Sequence, residues 1–397
     1  MNILRSLFIK IKFWGKIFKN KILSNSKNNY QNLNEIRAHN DKNSKLFNTM
    51  KLKIRSLITH ELLIWLGSFG EIFFALFILS YAVYPSGWSI SLIFMGVLAV
   101  LYNNQDMFVY HPTEPPESKV YIELPSLYNL PFEKIDLITS DSVRLHSYLI
   151  KQQSEVSLNV PTLVMFHGNA GNIGQRICIA HYVYHYCCCN VFLVEYRGYG
   201  LSEGTPSEIG FYKDAEAAIL YLFNRNDINT HKIIPYGQSI GGAVVIDLAR
   251  KYNERLYAFI VENTFTSLPE IGKELFSGIP GIFYLPEIFF KNQYQSINKI
   301  KSITIPGLFI SGLSDTMIPP RMMKALFEKS CSRMKRMLQI AEGNHNNTWL
   351  CPGYFQFMLK FIQEISNAQF EKDAQTTDQN AACRSQVWLV NSRSPRT

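Results

Sequence analysis

The stretch Ile233-Ile234-Pro235-Tyr236-Gly237-Gln238-Ser239-Ile240-Gly241-Gly242 constrains this chain more than any other. A short apolar run enters Gly-x-Ser-x-Gly, and the apolar-periodic segment from Ala243 to Leu248 leaves it without a break. A strand, a sharp turn and a helix are therefore expected in succession, with the serine at the turn. Glycines two residues before and two residues after Ser239 relieve crowding, so the serine can take a strained backbone conformation. Its hydroxyl is then expected to stand clear of the sheet as a nucleophile, with the amide of Ile240 aimed at the same point.

The surrounding pattern suits such a turn. Short apolar runs read as strands at 135–139, 143–150, 162–166, 191–195, 232–236, 256–261, 303–310 and 336–340. Helical periodicity falls between them, over 172–186 and from a Ser207 start to about residue 223. Alternation of this kind predicts an α/β architecture, a mostly parallel sheet with helices on both faces, over residues 134–366. No internal repeat interrupts it. Residues 265–300 stand outside the alternation. They are dense in Leu, Ile and Phe (Leu275, Phe276, Phe283 and Phe289 among them) and read either as a helix pair packed onto the sheet or, since Gly278, Pro280, Gly281 and Pro286 break any long helix, as a lid over a site. Residues 105–133, around Pro112-Thr113-Glu114-Pro115-Pro116, read as a linker, and 367–397 as a polar, disordered tail.

In open parallel sheets, sites form beyond the carboxyl ends of the strands. Ser239 has that position. So does Asp315, after the strand ending at Ile310, and His345, after the strand ending at Ile340. The expected division of labour gives His345 the Ser239 proton, while Asp315 fixes the imidazole tautomer and stabilises its cation. The loop His167-Gly168-Asn169-Ala170-Gly171-Asn172 follows the strand 162–166, and the backbone amide of Asn169 is the candidate second oxyanion-hole donor beside Ile240. His167 is expected to shape that loop, with Glu195 and Asp214 outside the chemistry. Met317, Met322 and Met323 read as core.

The charge is unevenly spread. The 397 residues carry a net +9, but residues 1–60 hold 13 Lys/Arg against Glu35 and Asp41, a net of +11, which leaves −2 for the remainder. A body of that charge is no nucleic-acid-binding surface, and the basicity belongs to a mostly disordered N-terminal arm, with an amphipathic stretch possible at 3–23. Leu62–Tyr84 is almost wholly apolar apart from Glu71 and would run roughly 35 Å as a helix, enough to cross the ~30 Å hydrocarbon core of a bilayer. Trp88–Tyr102 is a second, shorter apolar run, and 61–104 is the expected membrane anchor region. A basic arm before the first span is expected to stay cytoplasmic. Seven cysteines, with Cys187-Cys188-Cys189 consecutive, match neither a disulfide framework nor a zinc-ligand spacing. No metal or organic cofactor is implied.

Phe166-His167-Gly168-Asn169-Ala170-Gly171-Asn172, Tyr196-Arg197-Gly198-Tyr199-Gly200-Leu201-Ser202-Glu203-Gly204, the Ser239 turn, Val261-Glu262-Asn263-Thr264-Phe265, and the segments around Asp315 and His345 together resemble the alpha/beta hydrolase superfamily. The chain order Ser…Asp…His agrees. With the apolar N-terminal run, the resemblance narrows to the subfamily of alpha/beta hydrolase domain-containing protein 13, over roughly residues 62–366. It implies a membrane-anchored serine hydrolase, single-pass and of type II orientation, acting on an acyl ester or thioester of a lipid or lipidated protein. A more distant similarity to membrane-associated protein depalmitoylases bears on substrate alone. The alternatives are a serine peptidase of the prolyl-oligopeptidase type, or a catalytically silent membrane interaction protein on the same scaffold. Epoxide hydrolases and haloalkane dehalogenases would need a carboxylate in place of Ser239.

Overall fold

The computed structural model describes residues 102–275, 284–374 and 384–390, with isolated positions before residue 102. The chain divides into two units, 1–97 and 98–397, and the elements that follow belong to the second. Its centre is made by strands buried on both faces: β3 (Thr162–Phe166), β4 (Asn190–Val194), β5 (Ile233–Gln238), β6 (Phe259–Glu262) and β7 (Gly307–Gly312). Continuous apolar runs of this length suit a parallel sheet covered on both sides. Two strands precede them, β1 (Glu133–Ile138) and β2 (Arg144–Ile150), and two follow, β8 (Met334–Ile340) and β9 (Arg384–Val390). The order across the sheet is β1-β2-β4-β3-β5-β6-β7-β8-β9. β2 pairs antiparallel with β1 and β4, and every other pairing is parallel.

Alternate residues of each strand feed opposite cores. Val164 and Phe166 join one apolar cluster, Leu163 and Met165 the other. The first is covered by α2 (Glu208–Phe223), α3 (Ile240–Lys251) and α5 (Pro320–Lys329). The second is covered by α1 (Ile177–Tyr186) and α6 (Tyr354–Ala374), while α4 (Leu268–Leu275) begins the 265–300 insertion. The start of α2 lies where Ser207 implies, because the Ser207 hydroxyl accepts the Gly210 amide at 3.1 Å and satisfies one of the helix's orphan donors.

Three expectations need correction or relocation. Residues 105–133 are fastened to the domain: Gly171 N donates to the Glu114 carbonyl at 2.7 Å, and Asn172 Nδ2 donates to the carbonyls of Ser118 and Tyr121, both at 2.9 Å. The Pro-rich composition signalled a linker, but the buried Asn172 side chain needs these carbonyls. The tail is also partly ordered, since α6 runs on to Ala374 and β9 adds to the edge of β8. Trp388 is the anchor of β9, its ring 5.1 Å from that of Phe357. Helix 172–186 in fact opens with a tight 3-10 turn, Ile173–Arg176, before α1. No helix among the described residues is long and apolar enough to cross a membrane. Except for Leu76, the run Leu62–Tyr84 lies outside the described residues, as do the 1–60 arm and most of Trp88–Tyr102.

Candidate active site

Ser239 sits at φ 57° and ψ −122°, between β5 and the first turn of α3. This is a region that side-chain-bearing residues rarely adopt, and it costs of order 1–3 kcal/mol unless the surroundings impose it. Here they do. A Cβ built on Gly237 would lie 2.1 Å from the Gly241 carbonyl oxygen, and one on Gly241 would lie 2.2 Å from that of Phe166 at the end of β3. Gly242 is equally confined, with Thr264 2.6 Å from the same test atom. Only glycine lets the turn close and lets α3 approach β3 this tightly. The Ser239 amide donates to the Glu262 carbonyl at 2.9 Å, and the Thr264 hydroxyl donates to the Ser239 carbonyl at 2.6 Å. Both sides of the strained residue are thereby held.

The loops after β7 and β8 bring Asp315 and His345 together. His345 Nδ1 lies 2.7 Å from Asp315 Oδ2, and a carboxylate can only accept, so the proton resides on Nδ1 and Nε2 carries the free lone pair. Asp315 Oδ1 accepts the amides of Met317 (2.8 Å) and Ile318 (2.9 Å), which fixes the carboxylate plane. Gln238 Nε2, from the residue before Ser239, donates to the His345 carbonyl at 2.8 Å and ties that loop to the strand that carries Ser239. No hydrogen bond joins Ser239 Oγ to His345 Nε2 among the described residues; contacts of this kind are often long before substrate binds.

The loop after β3 closes the site on the other side. A Cβ on Gly168 would lie 3.6 Å from Ser239 Cβ, so Asn169 follows directly on the backbone that faces the serine. The Asn169 amide N–H has no hydrogen-bond partner among the described residues. The amide of Ile240, as the first residue of α3, is one of the four N–H groups a helix leaves unpaired at its start. Two donors are thus available where negative charge would develop on a carbonyl oxygen attacked by Ser239. His167 is not available for proton transfer: Nδ1 donates to the Gly168 carbonyl (2.7 Å) and Nε2 pairs with buried Glu195 (2.8 Å). Asp214 is held by Arg197 through the backbone amide and Nε, both at 2.8 Å, and burial raises its carboxyl to about 6. Met322 and Met323 are core, as expected.

Two residues of this site escape a sequence reading. Asn263 is one. Its Oδ1 accepts the Gly312 amide at 2.8 Å on the Asp315 side, while Nδ2 donates to the Asn344 carbonyl (3.1 Å) and Thr348 Oγ1 (2.8 Å) on the His345 side. The available signal was an asparagine directly after an apolar run, a residue that tolerates the left-handed φ of 43° found here. Tyr199 is the other. Its hydroxyl accepts the His111 amide at 3.1 Å and faces Asn169 Oδ1 at 2.8 Å, while Asn169 Nδ2 donates to the Val109 carbonyl. Nothing in the local sequence announces bonds spanning that distance.

With this geometry in place, the known relatives agree. The family described as alpha/beta hydrolase fold matches residues 161–284, a span that holds the β3 loop and the Ser239 turn. Protein bem46 of Schizosaccharomyces pombe is 40% identical over 281 residues, covering 70% of this chain and 92% of that protein. The chain belongs to the alpha/beta hydrolase superfamily. The alpha/beta hydrolase domain-containing protein WAV2 of Arabidopsis thaliana is 38% identical over 288 residues, covering 70% of this chain and 93% of its own length. Among solved structures, the esterase Pf2001 of Pyrococcus furiosus superposes with a TM-score of 0.51 at 18% identity, over 62% of this chain and 96% of that one. At that identity it speaks for the fold alone. The chain therefore has the superfamily sheet, with the Ser239 turn, Asp315 and His345 at the carboxyl ends of its strands.

The Tyr199 contacts generate a prediction. Tyr199→Phe leaves the ring packing and strips a hydroxyl from two half-buried partners, which typically costs about 1 kcal/mol of stability. It is expected to lower kcat roughly tenfold or more with KM little changed, because the loss falls on the oxyanion loop rather than on ground-state binding. Steady-state kinetics beside a thermal melt check this; an unchanged kcat with a lowered Tm would leave Tyr199 a packing residue.

Proposed function

We propose that this protein is a serine hydrolase that cleaves acyl esters or thioesters through an acyl-enzyme. Ser239 Oγ attacks the substrate carbonyl carbon as His345 Nε2 takes its proton. Asp315 orients the imidazole and stabilises its cation, and the amides of Asn169 and Ile240 bind the developing oxyanion. Collapse expels the alcohol or thiol, which leaves with the proton from His345. Water then attacks the acyl-Ser239 ester by the same route in reverse and releases the acid. The observation that carries this reading is Ser239 held at positive φ against the β3 loop, with a His345 whose tautomer Asp315 sets. The hydrolase relatives favour it.

Ser239→Ala is expected to abolish covalent labelling by a fluorophosphonate probe together with hydrolysis of short activated esters. Asp315→Asn and His345→Ala should each cost roughly 10³-fold or more in kcat, far from additively. A Ser239→Ala protein that still takes up the probe would move the nucleophile elsewhere, and a wild-type protein that never labels would favour a silent scaffold.

The same proposal extends to the substrate. Between β6 and β7, Tyr284 and Ile288 are 89% and 77% exposed, with Phe289 also exposed, so these side chains are not packing onto the sheet. Phe276 and Phe283 lie outside the described residues. Exposed apolar groups on the segment inserted between β6 and β7 suit contact with an acyl chain, where each buried methylene contributes ~0.8 kcal/mol. kcat/KM should rise with acyl length across a thioester or monoacyl ester series. The rise should flatten in Tyr284→Ala/Ile288→Ala/Phe289→Ala, whose fluorophosphonate labelling should persist. Equal turnover of acetyl and long-chain esters would end the lipid reading.

Membrane tethering by Leu62–Tyr84, with the 1–60 arm cytoplasmic, would place such substrates within reach. In sealed microsomes a C-terminal tag should resist protease until detergent is added; digestion in intact vesicles would put the hydrolase unit on the cytoplasmic side.

A further inference from the structure

The turn Ile173–Arg176 continues directly from the His167–Asn172 loop. Its course is set by Asn172, whose Oδ1 accepts the Gly174 amide at 2.9 Å, and by Glu195, whose Oε2 accepts the Ile173 amide at 3.0 Å. Arg176 ends this turn in a fixed position. Its guanidinium makes one hydrogen bond among the described residues, from Nη2 to the Ala170 carbonyl at 3.3 Å. Nε is fully enclosed and has no partner, while the residue as a whole is half-buried.

A guanidinium has five N–H donors in a planar fork suited to a carboxylate or phosphate. Among the described residues, no carboxylate forms an ion pair with Arg176. Two buried acids carry charge that reaches it, neither at ion-pair distance, and Glu262 keeps an enclosed Oε1 with no hydrogen-bond partner among the described residues. Glu195 is held by His167 and the Ile173 amide. Glu262 Oε2 accepts the hydroxyls of Tyr236 (2.6 Å) and Tyr354 (2.5 Å). Burial raises the Glu262 carboxyl above its ordinary range. Burial also lowers the Arg176 pKa. A desolvated cation without its own carboxylate is costly, and proteins normally pair such a charge. Its single acceptor, the Ala170 carbonyl, belongs to the residue after Asn169, so the guanidinium lies against the loop that faces Ser239.

We propose that Arg176 is the anion-binding residue of the substrate site, and that this hydrolase prefers esters carrying a second, oxyanionic group, a carboxylate or a phosphate, over neutral esters of the same shape. The inference rests on Ser239 being the nucleophile and deepens that reading. The anion would complete the fork that the protein leaves open, while the ester carbonyl occupies the Asn169 and Ile240 donors. A carboxylate could sit at the end of the acyl chain, a phosphate on the alcohol.

Two matched pairs distinguish these sources, assayed with the full chain in detergent. The first is the p-nitrophenyl half-ester of glutaric acid against p-nitrophenyl valerate. The second is a 1-acylglycerol 3-phosphate against the 1-acylglycerol. In at least one pair the anionic member should have the higher kcat/KM. Arg176→Gln should cut that preference roughly tenfold or more, the range for a lost hydrogen bond to a charged group, while the neutral member changes little. Arg176→Lys, which keeps the charge without the fork, should fall between. Should Arg176→Gln fail to fold, glutarate and glycerol 3-phosphate remain as probes of the wild type: one of them should inhibit valerate hydrolysis competitively. The proposal is overturned if wild type favours the neutral member of both pairs, if Arg176→Gln slows both members equally, or if neither anion competes. Fluorophosphonate labelling of Ser239 in the same preparation separates this failure from failure of the nucleophile assignment.

Discussion

The contact between Gly241 and the end of β3 is the constraint on which the rest of the site depends. With 2.2 Å between a Cβ at Gly241 and the Phe166 carbonyl oxygen, any larger residue would push α3 away from β3. That separation would undo several things at once. Ser239 would lose the support that holds it at positive φ, the Ile240 amide would turn away, and Gly168 would no longer face the serine. Close packing makes the strain at Ser239 affordable, because the surrounding backbone has no other way to fit. The Ser239 turn and the His167–Asn172 loop are therefore one mechanical unit built on adjacent parallel strands, β3 and β5.

Asn263 performs a comparable task at the other half of the site. The loops bearing Asp315 and His345 leave neighbouring strands and run close together, with a Cβ at Gly312 only 2.5 Å from the Gly343 carbonyl oxygen. One buried side-chain amide then bonds to both loops, and Gln238 ties the His345 backbone to the strand that carries Ser239. Fully bonded buried amides of this kind specify a single arrangement, since any shift strands a donor or acceptor away from water. Reactive groups from three strands are held in register by residues that themselves do no chemistry.

Much of this was legible before any coordinates. The β3 run Thr162–Phe166 declared itself by five consecutive residues without a polar side chain beyond its first, and its observed bounds match. Ser207 marked the start of α2 through its hydroxyl. Ser239, Asp315 and His345 were candidates because triad chemistry demands a turn or loop just after a strand, and each does stand at such a place. Other features had no local trace. β7 begins at Gly307 rather than 303, because Asn253 from beyond α3 captures the Thr304 amide at 2.8 Å and holds that stretch out of the sheet. β9 pairs with β8 across an interval that periodicity cannot bridge. The Tyr199 hydroxyl meets His111 and Asn169 only once the sheet has formed. Sequence patterns report what a residue prefers locally, and these residues are placed by partners far along the chain.

The central claim is that Ser239 becomes covalently acylated during turnover. Rapid quenching of the enzyme during the first turnover of a p-nitrophenyl ester, followed by intact-protein and peptide mass spectrometry, measures this directly. The account predicts a burst of nitrophenolate approaching one equivalent and a transient mass increase of one acyl group, localised to the peptide that contains Ser239. Linear nitrophenolate release without any adduct would place hydrolysis on a direct attack by water, and an adduct on another residue would contradict the assignment of Ser239.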